Sequence, residues 1–155
     1  MKNWGISLLL TSTCFFVLLV NNSQAVDSHG SLVVAIEGFT NSKGYAMIAG
    51  YGSEQAYKEG SPKTTMAKVE VTDQKAEVIF NDLKYGTYAV AIFHDQNANG
   101  KMDTNFLGLP KESYGRSNNV RGAFGPPSFE KAKIELESPE KQIKIKLGEI
   151  NACFT

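Results

Sequence analysis

The chain has 155 residues and balances 16 basic against 16 acidic side chains, a length that holds one domain together with a targeting segment. The even charge argues against a nucleic-acid binder, which would carry a basic face or stripe. At 42% hydrophobic and 21% charged it is neither a disordered chain nor an integral membrane bundle, and two cysteines are too few for a disulfide scaffold.

Lys2 is the only charge in residues 1–25. An apolar run from Trp4 to Val20 follows, and then Ser23-Gln24-Ala25. A positive start, an apolar run and a small-x-small exit are the marks of a secretory signal peptide, here cleaved after Ala25. An uncleaved anchor is the weaker reading, because Ser7, Thr11, Ser12 and Thr13 interrupt the run. Lipid attachment at Cys14 is weaker still, because the apolar run continues beyond it. Cleavage leaves a single domain of residues 26–155 in which Cys153 is the remaining thiol. Membrane contact is then confined to the leader, and the protein is expected in the periplasm or secreted.

The rest reads as β. Leu32 to Ile36 is β-branched and apolar, and Asn41-Ser42-Lys43-Gly44 is a turn signal before a second strand, Tyr45 to Tyr51. Ser53 to Glu59 predicts one helical turn capped by Ser53. Ala67, Val69 and Val71 alternate with Met66, Lys68 and Glu70, and Ala76, Val78 and Phe80 with Lys75, Glu77 and Ile79. Period two with a polar face marks strands covered on one side. Thr87 to Phe93 is apolar throughout, the mark of a central strand. Ala132, Ile134 and Leu136, then Ile143, Ile145 and Leu147, alternate with lysine and glutamate.

These segments predict an all-β, seven-stranded antiparallel sandwich. Its long loop, His94 to Ser128, precedes the last two strands. A loop of that length in a compact domain is either functional or disordered. Phe106, Leu107, Leu109, Tyr114, Phe124 and Phe129 offer apolar surface to pack, which predicts an ordered loop.

The loop opens with D-x-N-x-N-G-x-x-D from Asp95 to Asp103, the first part of a calcium loop of EF-hand type. Calcium takes about six to eight oxygen ligands. Asp95, Asn97 and Asn99 would project side-chain oxygens into one turn, Gly100 would take the sharp backbone angle, and Lys101 would give only its carbonyl. Asp103 would close the near side. The bidentate glutamate that should end such a loop is replaced by Phe106, and the flanking helices are missing. Glu112 is the nearest replacement carboxylate, with Asp82 behind it. The low charge count predicts weak affinity, about 10⁻⁴–10⁻³ M. Without metal, the same residues make an Asx-rich turn.

His94, beside Asp95, has the type of a general base, but a histidine at a strand end is more often a structural hydrogen-bonder. Tyr114, Arg116, Ser117, Asn118 and Asn119, with Glu112, form a polar cluster with one aromatic. Such a cluster suits a sugar or peptide, or it satisfies the loop's own backbone. The lysines of the last two strands alternate with glutamates, which marks a solvated face or protected edge.

The segment from Asp82 to Asp95, Asp-Leu-x-x-Gly-Thr-Tyr-Ala-Val-x-x-x-His-Asp, resembles that of an exported bacterial family, the domain of unknown function numbered 2141. The likeness runs on through Asn97–Asp103, Leu107–Glu112, Tyr114–Asn119 and Pro126–Phe129, and covers roughly Ser31 to Leu147. A strand ending Gly-Thr-Tyr also resembles the penultimate strand of transthyretin-like and collagen-adhesin B-type sandwiches. The loop is similar to the calcium loops of B-type adhesin repeats, where the ion rigidifies a β domain. The resemblance implies a transthyretin-like or immunoglobulin-like sandwich, and fold likeness does not transfer function. A hydroxyisourate hydrolase would end in tyrosine-arginine-glycine-serine, and this chain ends Asn151-Ala152-Cys153-Phe154-Thr155.

The expectation is an exported, non-catalytic module of the periplasm or cell envelope. It carries one structural calcium and binds an envelope protein or glycan. The alternative is a small hydrolase, or a sugar- or peptide-binding protein, using His94 to Asn119.

Overall fold

A computed structural model describes residues 28–122 and 125–148. The leader at residues 1–25, Phe124 and Cys153 lie outside the described residues. The elements run β1 (His29–Glu37), β2 (Tyr45–Tyr51), α1 (Glu54–Glu59), β3 (Thr65–Glu70), β4 (Lys75–Lys84), β5 (Gly86–Asp95) and β6 (Tyr114–Arg116). A tight helical turn (Ser117–Asn119), α2 (Phe129–Ala132), β7 (Ile134–Leu136) and β8 (Glu140–Lys146) complete them.

One sheet has the order β4-β1-β8. The other has the order β3-β2-β5-β6, with β7 also paired to β5. The all-β class expected from alternation holds, with two corrections. The described strands number eight rather than seven, because Tyr114-Gly115-Arg116 pairs with Ala91 to Phe93 inside the expected loop. The sheets are also not wholly antiparallel, because β8 runs parallel to β1. Three residues are too few to show a period, so β6 left no pattern of its own.

The inward positions of both sheets share one core. Leu32, Val34 and Ile36 of β1, Phe80 of β4 and Ile145 of β8 meet Ile48 of β2, Val90 and Ile92 of β5, and Leu136 of β7. The opposite face of β5 is buried at its start by a second cluster, in which Ala89 packs with Tyr51, Tyr57, Phe129 and Ala132. Ser53 caps α1 as expected, its hydroxyl accepting from the Ala56 N–H at 3.2 Å. Phe106 and Leu107 were expected to pack, yet they are 94% and 68% exposed. They form the tip of a small hairpin that Asn105 closes, its Oδ1 accepting from Leu107 N at 2.9 Å and Leu109 N at 3.0 Å. With its backbone satisfied locally, the tip needs no apolar anchor. Among the described residues no helix is long and apolar enough to cross a membrane.

The outer edge of β5 is shared. β7 pairs with Gly86 to Tyr88 and β6 with Ala91 to Phe93. Between them the fully buried Ser117 hydroxyl accepts from the Val90 N–H at 2.9 Å and donates to the Ala132 carbonyl. Ser117→Ala leaves that N–H buried without a partner, which costs about 1–3 kcal/mol. A lower urea midpoint at unchanged slope is the expected result. An unchanged midpoint would show that the hydroxyl is dispensable.

Candidate functional site

Strand register builds a groove on the outward face of the second sheet. Met66, Ala49, Ala91 and Arg116 form one cross-strand row over β3, β2, β5 and β6. On one side stands the row Lys68, Met47, Phe93 and Tyr114, and on the other the pair Tyr51 and Ala89. The two alanines in mid-sheet are shorter than every neighbour in the flanking rows except Ala89. They form the floor of a trough that opens into a cavity of about 790 Å³. Met102, Leu109 and Pro110 of the loop after β5 line one wall, and Lys63 lies at the rim. A mostly apolar cavity with a few polar groups is the usual form of a small-molecule site.

Two buried carboxylates hold the loop that forms this wall. Asp95, fully buried at the end of β5, accepts from Asn99 N at 3.0 Å and Gly100 N at 2.8 Å. Gly100 has φ +76°, the angle that favours glycine. Glu112, 4% exposed, accepts from Gln96 N at 3.1 Å and Asp103 N at 3.0 Å. It thereby clasps both ends of the motif. The Asp103 carboxylate accepts from Asn97 Nδ2 at 2.7 Å and Asn99 Nδ2 at 3.0 Å. The amide oxygens of Asn97 and Asn99 accept from Asn99 N and Lys101 N, as in Asx turns.

The structure therefore gathers Asp95, Asn97, Asn99, Asp103 and Glu112 around one turn. Lys101 takes part through its N–H, and Asp82 lies in the other sheet, on β4. The donor chemistry suits a hard cation, since the side chains offer only oxygens and amides. The amide nitrogens, however, are the groups facing Asp103. Among the described residues no cluster of three or more His, Cys, Asp or Glu side chains has the geometry of a metal centre.

The other candidates separate. His94 is fully buried on the interior face, its ring edge-on to Phe39 at 5.0 Å. Its Nε2 donates to the Lys43 carbonyl at 2.7 Å, and Nδ1 has no partner among the described residues. Asn118 donates to the Lys131 and Lys133 carbonyls at 3.1 and 2.8 Å. Asn119 spans the edge of β8, accepting from Lys146 N at 2.7 Å and donating to the Lys144 carbonyl at 3.3 Å. Both hold φ near +55°, at 58° and 53°, a conformation that asparagine tolerates. Tyr114 and Arg116 line the groove. Burial pushes the Tyr51 and Tyr57 phenols above their ordinary range, and the positive charge of Arg116 offsets part of that rise.

Sequence reasoning missed the groove. Its signal was the run Tyr88 to Phe93, apolar on both faces. A strand apolar on both faces in a two-layer sandwich requires a third layer on its outward side.

A model of the family described as "Uncharacterized protein conserved in bacteria (DUF2141)" matches residues 34–144. No curated protein and no solved structure matches the chain.

Glu112→Ala removes a charged acceptor from two backbone donors and costs about 2–3 kcal/mol. Amide exchange should accelerate at Gln96 and Asp103 well beyond the change in the β1–β4 ladder. Uniform acceleration across both would show that the clasp has no local role.

Proposed function

The chain belongs to the DUF2141 family, and we propose that it is an exported, non-catalytic β-sandwich module that binds an apolar small molecule in the groove over Ala49 and Ala91. One observation carries this reading: a cavity of about 790 Å³ whose floor is two mid-sheet alanines and whose walls are methionine, aromatic and proline side chains. A glycan would need free amides, and those of Asn118 and Asn119 are engaged with backbone carbonyls. A hydrolase would need an accessible base, and His94 is fully buried. Export is supported by the charged start, apolar run and small-x-small exit of residues 1–25. On the family likeness, the sandwich is of transthyretin-like or immunoglobulin-like type.

Calcium is part of the same reading. Asp95, Asn97, Asn99, Asp103 and the Lys101 carbonyl would hold it, with Glu112 as the added carboxylate. The ion supplies charge neutralisation and cross-linking of a turn rather than reaction chemistry. Asn97 and Asn99 would present their amide oxygens in place of the nitrogens that now face Asp103. A fixed turn fixes the groove wall, since Gly100 and Met102 belong to both.

Two measurements test these statements. Phenylnaphthylamine, a neutral fluorescent apolar probe, should bind saturably. Ala91→Phe, which fills the floor, should weaken it by at least about tenfold, or roughly 1.4 kcal/mol. No saturable binding, or equal binding by the variant, sinks the groove reading. Millimolar calcium should raise the melting temperature relative to chelator by binding the native state, and Asp103→Asn should abolish the rise. No rise up to about 10 mM, beyond the weak extracellular range, sinks the calcium reading.

A further inference from the structure

The groove holds a positive charge that forms no ion pair among the described residues. Arg116 ends the alanine row at β6 and is half-buried. Its guanidinium carbon lies 5.3 Å from the centre of the Tyr57 ring, and its Nε is buried with no acceptor. The ion pairs among the described residues join Lys58 to Glu54, Lys133 to Glu130 and Lys144 to Glu37, and none includes Arg116. The cavity lining adds Lys63 and, among the described residues, contains no carboxylate. The hydroxyl of Tyr57, whose ring faces the guanidinium, is a second buried group without a partner among the described residues, in a residue only 8% exposed.

A half-buried cation whose Nε is buried and lacks an acceptor among the described residues is unfavourable, so such a site favours an anion arriving from outside. The phenols cannot supply one. Burial holds Tyr51 and Tyr57 protonated well past neutral pH. The guanidinium fork matches a carboxylate in shape, and one guanidinium balances one negative charge. From Arg116 the floor runs over Ala91 and Ala49 to Met66, three interstrand steps or roughly 14 Å. An extended medium-length acyl chain spans that distance.

Resting on the binding reading above, we propose that the ligand is a linear apolar acid, a medium-chain fatty acid, with its carboxylate on Arg116 and its tail along the two alanines. Arg116 then selects the ligand's headgroup, and the alanines select an unbranched tail.

The test compares dodecanoate with dodecanol by titration calorimetry at neutral pH and low salt. The tails are identical, and only the charge differs. The acid should bind at least about tenfold more tightly, the scale of one hydrogen bond between charged groups. Arg116→Gln should remove that preference while dodecanol still binds saturably, which also reports that the variant is folded. Arg116→Lys should keep part of the preference. Equal affinities in the unsubstituted protein, a comparison that needs no variant, overturn the anchor and leave the groove reading standing. A preference that survives Arg116→Gln overturns the assignment to Arg116. Binding of neither compound removes the groove reading and this inference with it.

Discussion

The strand β5 imposes the constraint on which the rest of this molecule depends. Its side chains from Tyr88 to Ile92 are apolar on both faces, and its backbone has two edges to satisfy. One face meets the sandwich core and one edge meets β2. The chain after β5 serves the other face and the other edge. β6 and β7 divide the edge, and Ser117 bonds the residue left between them. α1 and α2 cover Ala89, where Tyr57 and Phe129 complete a small core. The cover reaches Ala91 only in part, and the groove is the uncovered remainder. The groove on this fold is therefore the consequence of a third layer that is only half built.

The loop after β5 forms the near wall of that remainder, and its stability comes from buried negative charge bonded to backbone N–H groups. Asp95 ends β5 and Glu112 lies two residues before β6, so the neighbouring strands position both clamps. A carboxylate accepting N–H bonds is stronger than a neutral acceptor and more directional than packing. This lets Met102 and Leu109 be presented to the groove by a segment that buries little apolar surface of its own. The neighbouring tip at Phe106 and Leu107 extends outward from the same frame.

What the sequence disclosed was whatever depends on short-range order. Ala76, Val78 and Phe80 announced β4 by alternation, and Ser53 announced α1 by its capping position. The turn from Asp95 to Asp103 was legible because its partners lie within a few residues and asparagine bonds its own backbone. Glu112 was found only as the nearest unused carboxylate. Lys131 to Glu137 alternates without a break, which hid the change from α2 to β7 at Lys133. The groove was not legible, because it exists only once register sets Ala49 opposite Ala91 and Ala91 opposite Arg116. Pairings between distant residues are fixed by the whole sheet, and no local period reports them. The roles of Ser117, Asn118 and Asn119 had the same origin, since their partners lie between 13 and 27 residues away.

The parallel pairing of β1 with β8 has a kinetic side. Ser31 lies opposite Glu140 and Glu37 opposite Lys146, so the first described strand is completed by the last. Contacts of such separation close late, because a long chain must be ordered before they form. A chain that emerges N-terminus first from the ribosome can form the antiparallel β1–β4 pairing before β8 is available. The other edge of β1 stays bare, and Ile145 is missing from the core, until the final strand emerges. The order of the sheet thus makes completion of its core wait for β8.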